Sequence, residues 1–70
     1  MANMDSPLAG KILEINVKVG QAVTEDDEIM IIESMKMEMP VEAEEGGTVT
    51  EIRCEEGQAV HEGDTLVVLG

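Results

Sequence analysis

The chain has 70 residues, 43% of them apolar, no aromatic residue and one cysteine, and its sixteen carboxylates against four cationic side chains leave a net charge of −12. A chain of this length makes one domain with a modest core, and no disulfide reinforces it, because Cys54 has no partner cysteine. The charge and the missing aromatics argue against nucleic acid, the patterned apolar content argues against disorder, and no apolar run approaches the roughly 18 residues of a membrane span.

The opening "MANMDSPLAG" has neither a basic start nor an apolar stretch, so no signal peptide is expected. With one unpaired thiol, the expected compartment is reducing and the expected location the cytoplasm. Next, Leu13, Ile15, Val17 and Val19 alternate with Glu14, Asn16 and Lys18, the period of a half-buried strand. "VGQAV" and "EGQAV" read as tight turns built on Gly20 and Gly57. "EIMIIE" and "TLVVLG" are continuous apolar runs, as in strands covered on both faces. Beyond Lys36, Met37, Met39, Val41 and Ala43 alternate with Glu38, Pro40, Glu42 and Glu44, which predicts a strand burying the first set. No helix of ordinary length fits between these breaks. The expectation is an all-β domain of about eight short strands, closed into a small barrel or sandwich that leaves few exposed edges.

The chain also repeats itself. At an offset of 37, residues 10–33 lie over 47–70 with nine of 24 positions identical, among them Gly20/Gly57, Ala22/Ala59 and Val23/Val60. Two copies are too few for a solenoid. They predict two matching halves, about 3–33 and 40–70, closed across a pseudo-twofold axis within a single domain 1–70. A connecting hairpin, 34–39, would carry Lys36.

Candidate reactive residues are few. Cys54 aligns with Val17 and reads as a small buried hydrophobe. His61 aligns with Thr24 in a turn. One Cys and one His do not complete a zinc site, and the acidic stretches do not match a calcium loop, so no metal is expected. Met35, Met37 and Met39 have a spacing that soft thioether binding of copper(I) would also use. Filling a core without aromatics is the preferred reading. Lys36 differs from the other lysines by position. A tight hairpin calls for Gly, Asn, Asp or Pro, yet none lies between Glu33 and Met39. Reversing the chain at Met35-Lys36 would force residues that resist positive φ, a cost tolerated chiefly where a side chain has to be presented.

"ESMKMEMPVEA" (33–43) resembles the attachment signature of the biotinyl/lipoyl domain family, whose biotin carriers usually read Glu-Ala-Met-Lys-Met around the modified lysine. Pro7, Gly10, Gly20, Gly57, Gly63 and Asp64 also fall where the family pattern has them, so the resemblance spans nearly the whole chain. Met-Lys-Met alone is weak; at the centre of this repeat it is specific. The resemblance implies a flattened barrel of two four-stranded antiparallel sheets, with the modified lysine on an exposed hairpin. It makes Lys36 the residue that carries covalent biotin, Met35 and Met37 the flanks that a biotin protein ligase reads, and Glu33 and Ser34 the adjoining side of the hairpin. Ser34 departs from the usual alanine. Asp26 stands where the second half has Gly63, a tolerated substitute if that turn needs positive φ. The segment around Gly20 is too tight for the extra "thumb" of some biotin carriers.

The expected function is a non-catalytic, monomeric carrier, with no nucleic acid or membrane partner. As a swinging arm it would convey carboxybiotin between biotin carboxylase and carboxyltransferase components. No base accompanies Lys36, so the ligase would supply deprotonation. The alternative is a lipoyl carrier, or a dual biotin and lipoyl acceptor, on the same lysine, served by a lipoate ligase. That pattern is usually Asp-Lys-Ala, and Met35 and Met37 weigh against it.

Overall fold

The computed structural model describes residues 2–70. Its elements are β1 (Ala2–Asp5), β2 (Gly10–Ile15), β3 (Ala22–Val23), β4 (Glu28–Ser34), β5 (Met37–Glu42), β6 (Gly47–Ile52), β7 (Ala59–Val60) and β8 (Thr65–Leu69), with no helix among the described residues. They form two antiparallel four-stranded sheets, in the orders β1-β8-β6-β3 and β5-β4-β2-β7. Exchanging each strand for the one four later in the chain turns one order into the other. The pseudo-twofold expected from the repeat is therefore the symmetry of the fold.

That symmetry reaches individual bonds. Gly20 N donates to Val49 O and Gly57 N to Ile12 O, both at 2.7 Å. Thr24 N donates to Asp27 Oδ2 and His61 N to Asp64 Oδ2, both at 2.8 Å, so each half closes the same Asp-capped turn. Ala43 N donates to Asp27 O and, in the other half, Ser6 N to Asp64 O. Among the described residues Ser6 is the one buried polar residue, and its hydroxyl donates to the Leu8 carbonyl, as a buried donor must. Asp26 has φ 73° and Gly63 φ 90°, so this turn requires the left-handed region in both halves, and Asp26 is the tolerated non-glycine.

The core follows the same rule. The eight largest fully buried side chains form four pairs at the repeat offset: Ile12/Val49, Ile29/Leu66, Met30/Val67 and Ile32/Leu69. Each contributes about 1.5–3 kcal/mol by leaving water. Val23 and Val60 are equally buried, Val17 matches Cys54, and Ile15 and Ile52 are both half-buried against the core.

Two bulges explain the apolar patterns. The register shifts between Glu28 and Met30 on β4, and at the equivalent place on β8. An extra residue in a strand lets two successive side chains turn the same way, and here Ile29 and Met30, like Leu66 and Val67, all point inward. A second shift lies between Ile12 and Glu14 on β2, and between Val49 and Glu51 on β6. It corrects the alternation expected over residues 13–19. The strand starts at Gly10 and ends at Ile15, its fully buried residue is Ile12, Leu13 is only half-buried, and Val19 is exposed. The inserted residue switches the parity that straight alternation assumes.

β5 lies at the edge of its sheet, and Pro40, with no N–H to offer, blunts that edge against pairing with another chain.

Gly20 and Gly57 have φ 95° and 89°, and a Cβ at either would meet open space. Only backbone strain opposes a side chain there. Gly20→Ala and Gly57→Ala should each cost about 1–2 kcal/mol, and by equal amounts, in urea unfolding; clearly unequal costs would contradict the equivalence of the halves. Burial also holds the Cys54 thiol above its ordinary pKa. Such a group favours the folded state fully below the unfolded thiol's value, and loses that contribution as pH rises through the higher folded value. Cys54→Val, matched to Val17, should fold and lack this share of the alkaline decline in stability when the two proteins are unfolded in urea at neutral and alkaline pH.

Candidate functional site

β4 and β5 pair from Glu28↔Glu42 up to Ser34↔Met37, leaving Met35 and Lys36 as a two-residue loop. Their φ angles are 54° and 64°. Positive φ at both central residues is what a type I′ hairpin turn requires, because that turn matches the right-handed twist of its strands. Asn-Gly meets the requirement easily. Methionine and lysine do so at about 1–2 kcal/mol each. The strained reversal expected at Met35-Lys36 is the observed one.

The ladder beneath imposes the strain. Below the turn, Glu33 and Ile32 of β4 pair on their other side with Lys11 and Ile12 of β2. Gly10 makes this close approach possible: a Cβ there would collide with the Glu33 carbonyl oxygen and lie 2.6 Å from Ile32 Cγ2. The repeat marks Gly10 in the sequence, but its buttressing of the hairpin shows only in three dimensions.

Glu33, Ser34, Met35, Lys36 and Met37 are thus brought together at one tip. Lys36 is exposed and, among the described residues, has neither an ion-pair nor a hydrogen-bond partner. Glu33 lies opposite Glu38 on the hairpin, both exposed, and Ser34 is half-buried. The methionines require a correction. Val41 and Ala43 are buried as the alternation predicts, but Met39 is 40% exposed, Met37 63% and Met35 91%. The hairpin rises beyond the core, so the inward parity of its upper part meets solvent. Met39 therefore belongs to the exposed tip, which its alternation with Val41 concealed.

Among the described residues, neither Cys54 nor His61 forms a reactive centre at this tip. Cys54 is buried, with its sulfur 4.0 Å from Met30 Sδ and 3.7 Å from the Leu66 carbonyl oxygen. His61 is exposed in a turn, 3.8 Å from Asp64. The tip presents one amine flanked by two thioethers, with no described group bonded to that amine, an arrangement suited to carrying a group covalently.

Known proteins place this arrangement. A family model for the biotin/lipoyl domain, described as "Biotin-requiring enzyme", matches residues 2–69. The biotin carboxyl carrier protein of Streptococcus mutans is 46% identical over 46 residues, which cover 66% of this chain and 35% of that protein. The biotin/lipoyl attachment protein of Bacillus subtilis is 42% identical over 42 residues, 60% of this chain and 58% of its own length. In the crystal structure of Kluyveromyces lactis urea carboxylase, a segment amounting to 6% of that chain superposes on 99% of this one, with a TM-score of 0.91 and 33% identity. The chain belongs to the biotin/lipoyl domain family. It is a carrier-type domain, not an enzyme in itself, and the prosthetic group of its class is covalently attached biotin, with lipoate carried by related domains. It spans about a third to three-fifths of the length of these two relatives.

Replacing Met35 with Asn and Lys36 with Gly would install the favoured type I′ pair. The double variant should gain about 1–2 kcal/mol or more in urea unfolding, while losing the amine.

Proposed function

We propose that this chain carries biotin on Lys36 Nζ and conveys carboxyl groups between the active sites of a carboxylase. The observation that carries the reading is the placement of an unpartnered lysine, between two exposed methionines, at the apex of a strained non-glycine turn. A residue held there against its own backbone preference is held to be reached by other proteins.

The chain's own part in attachment is limited and specific. The neutral amine of Lys36 attacks the carbonyl of biotin activated as its adenylate. The N–C bond forms, the C–O bond to phosphate breaks and AMP leaves, and the ligase takes the proton. Among the described residues no group is bonded to the Lys36 amine, so deprotonation and desolvation fall to a biotin protein ligase, which we take to recognise Met35 and Met37, with Glu33 and Ser34 alongside. When bound, the group supplies a ureido nitrogen able to accept carboxylate. Thereafter the hairpin acts by tethering. It holds its cargo on a long arm at the end of a rigid body, so transfer between sites becomes an encounter at high local concentration. Biotin carboxylase and carboxyltransferase components are the partners this implies.

Lipoate on the same lysine is the second reading, favoured by the name of the Bacillus subtilis relative. The thioethers flanking Lys36, in place of Asp and Ala, favour biotin.

Co-expression with a biotin protein ligase tests the proposal, read by intact mass and streptavidin capture. The parent protein should gain one biotinyl group. Lys36→Arg should gain none, because a guanidinium stays protonated, while its stability stays within about 0.5 kcal/mol of the parent. Met35→Asp with Met37→Ala should weaken biotinylation while the amine remains. Biotin on Lys11 or Lys18 in the Arg variant, or none on the parent with active ligase, would overturn the assignment.

A further inference from the structure

Among the described residues, the methionines are divided between core and hairpin. Met4 and Met30 are 8% and 0% exposed, against 91%, 63% and 40% for Met35, Met37 and Met39. Cys54, the only thiol, is buried, and its raised pKa keeps the reactive thiolate scarce. Tryptophan and tyrosine are absent from the chain. Among the described residues, an oxidant arriving from solvent therefore meets first the two thioethers that flank Lys36.

We propose that Met35 and Met37 are an oxidation-sensitive modification site that gates attachment at Lys36. A sulfur lone pair attacks one oxygen of hydrogen peroxide. The S–O bond forms as the O–O bond breaks, the other oxygen leaves as water after proton transfer, and the sulfur is oxidised by two electrons as the peroxide is reduced. The product sulfoxide is polar and chiral where the thioether was apolar and flexible, which changes the two surfaces on either side of the amine. Both positions stand clear of the core, so the oxidised carrier keeps its fold. Methionine sulfoxide reductases reverse the change, so the gate reopens. The gate acts only on the unmodified chain, since recognition ends once the amide has formed. Its consequence for attachment rests on the ligase-reading role proposed above; the order of oxidation rests on exposure alone.

The test uses the full unmodified chain, graded hydrogen peroxide and site-resolved peptide mass. Oxygen should appear first on Met35, then Met37, then Met39, and at least about tenfold more slowly on Met4 and Met30, whose reaction needs local opening. Oxidised protein, folded by circular dichroism, should accept biotin from its ligase at least about tenfold more slowly than untreated protein. Reductase treatment should restore the rate. Equal oxidation of Met4 and Met30, loss of fold on mild treatment, an undiminished rate after oxidation, or a loss that reductase does not repair would each overturn the proposal. Untreated protein that takes no biotin overturns the carrier function and the gate with it, and the mass map then judges the oxidation order by itself.

Discussion

The apolar layer shared by the two sheets, built from four side-chain pairs related by the 37-residue repeat, is what the rest of the structure depends on. Neither sheet buries its inner face without the other, and the chain has no disulfide to help. The strands are short, and each of the two β3-like elements has only two residues. The bulges compensate. By turning both Ile29 and Met30 inward, and both Leu66 and Val67, they draw more buried area from β4 and β8 than straight alternation would allow. Met30 fills space that aromatic residues fill in other cores. The symmetric hydrogen bonds at the turns then hold each half in the same shape, so that one packing solution serves twice.

The hairpin depends on this layer without contributing to it. Its lower half, through Ile32 and Val41, is anchored in the core; its upper half, from Met39 outward, is not. The β4–β5 ladder transmits the rigidity of the first part to the second, and Gly10 lets β2 brace β4 directly beneath the turn. Positive φ at two residues that disfavour it is maintained by that support. A small domain is marginally stable, so about 1–2 kcal/mol per strained residue is a large fraction to commit to one turn. The commitment is intelligible only if the side chains at the turn matter more than the turn's own stability. This physical argument links the fold to a carrier role, and the biotin/lipoyl family membership supports it independently.

Much of this was readable in the amino-acid order. The offset of 37 determined the two-half plan and eight strands, and it set Cys54 in the place of Val17. The lack of Gly, Asn, Asp or Pro between Glu33 and Met39 marked a strained reversal at Met35-Lys36, and the residues of the tip resembled an attachment site. These features are local or self-referential: backbone preference belongs to each residue, and a repeat compares the chain with itself. Three things were decided only by the tertiary structure. The register shift at Ile12/Glu14 set which parity of β2 faces inward, because a bulge is defined by the partner strand. The closeness of β2 to β4 at Gly10 arose from their pairing, not from either segment. The exposure of Met37 and Met39 was decided by where the core stops. Alternation along β5 tells which side chains share a face with Val41 and Ala43, but whether that face meets apolar side chains or water depends on how far the packed layer extends beneath it.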